Sequence, residues 1–220
     1  MLGRKTTFRR ASRLVKQNFY KTFMPFPPLL SRFFFETNTR LTYFIEIIEI
    51  GWALLSVHER SILKSGSILV KPTVSTVSSF CTQLTSLTPD QLSTSGLSFP
   101  DALRNLRETF GSNNNNIPWA SWGEWDRKMF RSQCEKFGEE YPFKTGEEDY
   151  IDIKTEFILR KGLSKTVGLE EAVRLVGREM VGQHHRGVDD ATNAALVLSD
   201  IWNPSEGKGK EEKKESKDWK

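Results

Sequence analysis

Cysteine and histidine are scarce in this 220-residue chain, which holds two of the first and three of the second. Cys81 and Cys134 stand alone, without a C-x-x-C pair or zinc-ligand spacing. That excludes a disulfide framework and a thiolate metal centre, and it suits two idle thiols in a reducing compartment. A long uncharged apolar run is also missing. The most apolar stretch, LTYFIEIIEIGWALLSV (41–57), carries Glu46 and Glu49 and is too short and too charged to span a bilayer, so no membrane partner is expected. Acid is absent from residues 1–35, which hold eight Lys or Arg, and no aspartate precedes Asp90. The sequence pI of about 9.0 therefore comes from the ends of the chain, and the segment between them is mildly acidic. Basicity of that kind is no argument for a nucleic-acid groove.

What is present divides into three parts. Residues 1–28 are basic, rich in hydroxyl groups and end on MPFPP, the composition of an organellar transit peptide or of a plain basic arm. Residues 203–220 are low-complexity and charged, a disordered tail by composition. Between them, 29–202 reads as one α/β domain. Strands are expected at 29–36, 47–56, 66–72 and 117–123, with a short extended piece at 150–154. Helices are expected from Pro89, over 98–111, 124–138, 155–161 and 168–177, and over 189–202. Glycines at 111 and 138 close two of these helices.

Two stretches carry candidate chemistry. In GQHHRGVDDATNAA (182–195), two histidines stand just ahead of an acidic pair at the mouth of a helix. Asp189 reads as the N-cap and Asp190 as a first-turn carboxylate kept ionised by the helix dipole. Ala191, Ala194, Ala195, Leu198 and Ile201 form the packed face behind them. Gly187 is expected to turn the chain so that His185 projects toward Asp190. Simple capping with surface histidines explains the pattern equally well. In SWGEWDRKMF (121–130), Asp126 opens a helix directly after a short strand, with Phe130 one turn on. A strand-to-helix junction is where α/β proteins place their ligands. An ordinary dipole-favoured acid is the bland alternative.

Taken together, SWGEWDRKMFRSQCEKFGEEYPF and GLEEAVRLVGREMVGQHHRGVDDATNAALVL resemble the DEDDh 3′–5′ exonucleases, in the branch that includes histone-mRNA and small-RNA exonucleases. EIIEIGWALL (46–55), ILVKP (68–72) and FCTQLTSLTPDQL (80–92) follow the same order, so the likeness covers about 43–202. It implies a ribonuclease H-like fold, a five-stranded mixed sheet flanked by helices. It also implies hydrolysis of phosphodiester bonds at 3′ ends of RNA or single-stranded DNA. In that family four acids hold two Mg²⁺ or Mn²⁺ ions and a histidine deprotonates the attacking water. On these positions Asp126 and Asp190 correspond to metal ligands and His185 to the base. Leu84, Thr85 and Leu87 lie where relatives contact the terminal nucleotide, and the same residues also read as a packed helix-turn. Location would be intracellular, cytoplasmic or nuclear, or organellar if 1–28 is a targeting peptide.

The first family motif, D-x-E, has no clean counterpart. The best register sets FFET (34–37) on it, with Phe34 in place of the aspartate and Glu36 as the remaining metal ligand. Glu46 and Glu49 are expected to be structural. Two readings follow: an exonuclease impaired in its first motif, or a catalytically inactive relative that serves as a nucleic-acid-binding or scaffold module.

Overall fold

A computed structural model of the chain describes residues 19–26, 46–110, 118–143, 146 and 149–202. In these, the backbone forms a five-stranded mixed sheet. Its strands are β1 (Phe19–Phe26), β2 (Glu49–Ser56), β3 (Ser61–Leu69), β4 (Trp119–Ser121) and β5 (Tyr150–Asp152), in the spatial order β3-β2-β1-β4-β5. β1 pairs antiparallel with β2 and parallel with β4, β2 pairs antiparallel with β3, and β4 pairs parallel with β5. The helices are α1 (Ser79–Thr85), α2 (Pro89–Ser95), α3 (Phe99–Phe110), α4 (Glu124–Phe137), α5 (Ile153–Lys161), α6 (Leu169–Leu175) and α7 (Gly187–Ile201). None is long and apolar enough to cross a membrane.

The central slot next to β2 is filled by FYKTFMPF, which lies within the segment read from sequence as a basic arm. Its aromatic and threonine residues favour extended backbone, a signal outweighed in the sequence by the surrounding lysines and arginines. The run 29–36, expected to be the first strand, lies outside the described residues.

Both faces of the sheet are covered, and β2 shows this residue by residue. Ile50 and Trp52 pack with Phe99, Leu103, Leu106 and Phe130 from α3 and α4, whereas Ala53 and Leu55 pack with Ala191, Ala194, Ala195 and Leu198 of α7. A strand sandwiched between two helical layers must be apolar at successive positions, which is why this one reads as a near-continuous run. α7 lies so close to β2 that a methyl group on Gly51 would sit 1.8 Å from the Gly187 carbonyl carbon, so only glycine fits at position 51.

Several helix ends follow their local chemistry, and one departs from the sequence expectation. Thr88 caps α2 in a reciprocal box with Gln91, ahead of Pro89 at the first helical position. Gly138 ends α4 in the left-handed conformation. The departure is α7. It starts at Gly187 rather than Asp189, and its N-cap residue, Arg186, offers no side-chain cap. The Gly187 N–H instead donates to Glu49 Oε2 at 2.8 Å, from 138 positions away on β2. Both aspartates consequently fall in the first helical turn. The two cysteines are buried as expected, and burial pushes the Cys134 thiol up to about 12.

Candidate active site

Asp126 and Asp190 come from the first turns of α4 and α7, near enough for the charge of one to act on the other. Asp126 is buried beside Phe130 on the inner face of α4. Its carboxyl is held well above the ordinary carboxylate range, first by burial and then by the negative charge of Asp190; Lys154 at the start of α5 partly offsets these, and Asp152 adds to them. The Lys154 side chain runs along the backbone of Gly123, the residue just before α4.

Asp190 is almost completely buried, yet both of its oxygens are engaged by the preceding loop. Nδ1 of His184 lies 2.9 Å from Oδ1, and the backbone N–H of His185 donates to Oδ2 at 3.2 Å. The two imidazoles stack with centroids 3.8 Å apart. This environment drives the histidines in opposite directions. The hydrogen bond to Asp190 raises His184 above its usual value, while burial and the neighbouring His184 lower His185. The lowered His185 is the one of the pair biased toward the neutral form, the form that can accept a proton.

The histidine loop is fixed at every turn. Asn193, fully buried in α7, accepts from the Val181 N–H and donates to the Val181 carbonyl. Asp189, expected to cap the helix, accepts the Gln183 N–H at 2.9 Å. It packs so tightly against Gly182 that a Cβ there would meet Asp189 Cγ at 2.2 Å. Arg186 and Gly187 are tied to the fully buried carboxylate of Glu49, whose Oε1 also accepts from Ser67 at 2.6 Å. The sharp turn comes at His185, with φ 72°, and not at Gly187, which begins the helix. A non-glycine residue in that conformation costs on the order of 1 kcal/mol and persists only where its surroundings hold it. Here Asp190 and Glu49 flank it on both sides.

The structure thus brings together Asp126, His185 and Asp190, and it adds His184 and Lys154. Neither was singled out in the sequence. For His184 a signal existed, since the doubled histidine precedes Asp190 by a single turn of chain. Glu36 lies outside the described residues. Thr85 is buried, with its hydroxyl donating to the Cys81 carbonyl and accepting from the Leu87 N–H, and Leu87 packs on Ile48, Cys81 and Leu92. Both side chains pack into the fold, the second of the two readings of this turn, while half-buried Leu84 retains an exposed face. Ser86, just beyond α1, accepts from Gln183 Nε2 at 2.7 Å and so links this helix end to the histidine loop. Glu46 and Glu49 are structural, as expected. Glu46 is buried and gathers the backbone N–H groups of Thr73, Val74 and Ser75 together with two hydroxyls.

Residues 35–198 match the Exonuclease family, and the chain belongs to it. It is 29% identical to the probable 3′–5′ exonuclease KapD of Bacillus subtilis (strain 168), across 69% of this chain and 71% of KapD. It is 30% identical to ERI1 exoribonuclease 2 of Danio rerio, across 69% of this chain but only 30% of that protein. Among solved structures, the nuclease domain of 3′hExo, a DEDDh family member bound to rAMP, superposes with a TM-score of 0.71 at 22% identity, covering 84% of this chain and 91% of that one. A 3′-exonuclease recognising a histone mRNA stem-loop gives 0.70 at 22% identity, covering 84% and 81%. The fold is therefore the ribonuclease H-like one of these enzymes, and the protein is of the 3′–5′ exonuclease type.

Enzymes of this family use divalent metal ions, and the resemblance implies a pair of them held by four acids. The described residues do not supply that set. β1, in the slot between β2 and β4, has the sequence FYKTFMPF and carries no acid. Asp126 and Asp190 remain, and Asp152 is occupied in capping α5 through Thr155.

Proposed function

We propose that this domain hydrolyses phosphodiester bonds at the 3′ end of RNA or single-stranded DNA, with catalysis weakened by the loss of the first-motif aspartate. The observation that carries the reading is the convergence of Asp126, His185 and Asp190 on one site, from two helices and a rigid loop. His185 is partly exposed and its titration is lowered by burial and by His184, which suits it to take a proton from an attacking water. Asp190 fixes that histidine through its backbone N–H and balances the charge on His184. Leu84, at the end of α1, offers an apolar face to the terminal base or sugar. Under this reading the family's Mg²⁺ or Mn²⁺ would find two carboxylates among the described residues, Asp126 and Asp190, with Glu36 as a third ligand outside them. Two similar proteins favour RNA as substrate: the Danio rerio relative is an exoribonuclease, and one structural neighbour recognises a histone mRNA stem-loop.

The absence of acid from β1 favours a second reading, a module that binds nucleic-acid ends without cutting them. A single-stranded oligonucleotide incubated with the full chain in Mn²⁺ separates the two. Shortening from the 3′ end that His185→Ala and Asp190→Asn abolish supports the enzyme. Binding without shortening supports the module.

A further inference from the structure

We propose that His184, His185 and Asp190 form a site for one transition ion of the Co²⁺ or Zn²⁺ type, a donor set that shares only Asp190 with the carboxylate-held pair that the family implies. It concerns the site proposed above for hydrolysis but rests on the donor set and not on turnover. One ligand atom from each residue lies within 4.8 Å of the others. Bonds to zinc of roughly 2 Å place neighbouring ligands about 3–3.5 Å apart, so small side-chain rotations close the set around a single ion. Two imidazoles and one carboxylate suit Zn²⁺, Co²⁺ or Fe²⁺, whereas Mg²⁺ takes oxygen donors and keeps its waters.

The surroundings supply the rigidity that such a site needs. Asp190 is 2% exposed and His184 is 34% exposed at the side chain, so the buried carboxylate forms the floor and an imidazole the rim. Asn193 at Val181, Asp189 at Gln183 and Glu49 at Gly187 pin the loop around the two histidines, as outer-shell partners do in metal sites. The ion would take the place of the hydrogen bond between His184 Nδ1 and Asp190 Oδ1. It would also occupy a nitrogen of His185, which can then no longer accept a proton from water. Binding of this ion should therefore arrest hydrolysis.

The test is calorimetry and visible spectroscopy of the full chain titrated with Co²⁺, with Zn²⁺ and Mg²⁺ as competitors. One equivalent of Co²⁺ should bind and give visible bands of nitrogen coordination, and Zn²⁺ should displace it while Mg²⁺ at large excess should not. His184→Ala should weaken binding by roughly 10-fold or more, while its circular dichroism shows the parent's fold. Two equivalents of ion, ready displacement by Mg²⁺, or equal affinities for the parent and His184→Ala would overturn the proposal. Because these readouts need no substrate, a chain that never cleaves nucleic acid would defeat the enzyme reading alone. A chain whose Mn²⁺-dependent cleavage is untouched by saturating Zn²⁺ would defeat the arrest by the ion and leave the enzyme standing.

Discussion

Glu49→Ala is the most informative single lesion, because one carboxylate joins the sheet to the histidine loop. Glu49 is fully buried, accepts two bonds of 3.2 Å from the Arg186 guanidinium, caps α7 through the Gly187 N–H, and accepts from Ser67. Truncation leaves a guanidinium and a buried N–H without their partner. Breaking a buried ion pair from one side costs about 3–5 kcal/mol. Arg186 is 27% exposed and can recover some hydration, which places the expected loss near the lower bound, about 3 kcal/mol. For a domain of this size that lowers the melting temperature by roughly 6–12 °C. Urea unfolding at pH 7, followed by circular dichroism, measures it directly. The double variant Glu49→Ala/Arg186→Ala should lose less than the sum of the single variants, by about 1 kcal/mol or more. A loss below about 1 kcal/mol for Glu49→Ala, or strict additivity, would refute the view that Glu49 is the anchor of α7.

Three further outcomes are expected. Burial opposes the charge of Glu46, but the backbone N–H groups of Ser75, Thr73 and Val74 and the Ser75 hydroxyl outweigh it and hold the carboxyl down to about 2. A depressed carboxylate contributes stability that is complete above its unfolded value of 4.5 and is lost as pH falls toward about 2, so urea midpoints of the parent and Glu46→Gln should converge across that window; a constant gap would be contrary. Gly51→Ala should prevent α7 from seating and give a poorly folded chain, while Gly168→Ala, with open space around its Cβ, should fold normally by circular dichroism. Asp190→Asn should bring the raised His184 titration back toward its usual 6.5 in a proton NMR titration, because the hydrogen bond to the carboxylate is its largest cause; an unmoved His184 would mean that another group holds it.

The parts legible in the sequence are those whose signal is local. EIIEIGWALLS announces a strand because both of its faces are buried, and EWDRKMFRSQCEKFG announces a helix through its period and its closing glycine. Asp126, His185 and Asp190 could be picked out from local pattern, a carboxylate directly after a short strand and a histidine five residues ahead of an aspartate. The start of α7 was not, because the group that caps it is Glu49, and nothing near Arg186 encodes a partner 138 residues away. For the same reason Asp189 looked like a cap when it holds Gln183 instead. β1 was hidden by charge, since the basic residues around FYKTFMPF suggest an arm while long-range pairing with β2 makes it a strand. Thr85 and Leu87 carried two readings, nucleotide contact and a packed helix-turn, and of these the structure shows the packing of Leu87 with Ile48, Cys81 and Leu92.

The most direct measurement follows one oligoribonucleotide labelled at its 5′ end and another at its 3′ end, incubated with the full chain in Mn²⁺. A 3′–5′ exonuclease working through His185 should release the 3′ label at once as a nucleoside 5′-monophosphate and shorten the 5′-labelled strand in a ladder. Asp126→Asn, His185→Ala and Asp190→Asn should each leave both strands intact. Release of the 5′ label first, internal cuts, or undiminished shortening by His185→Ala would contradict it.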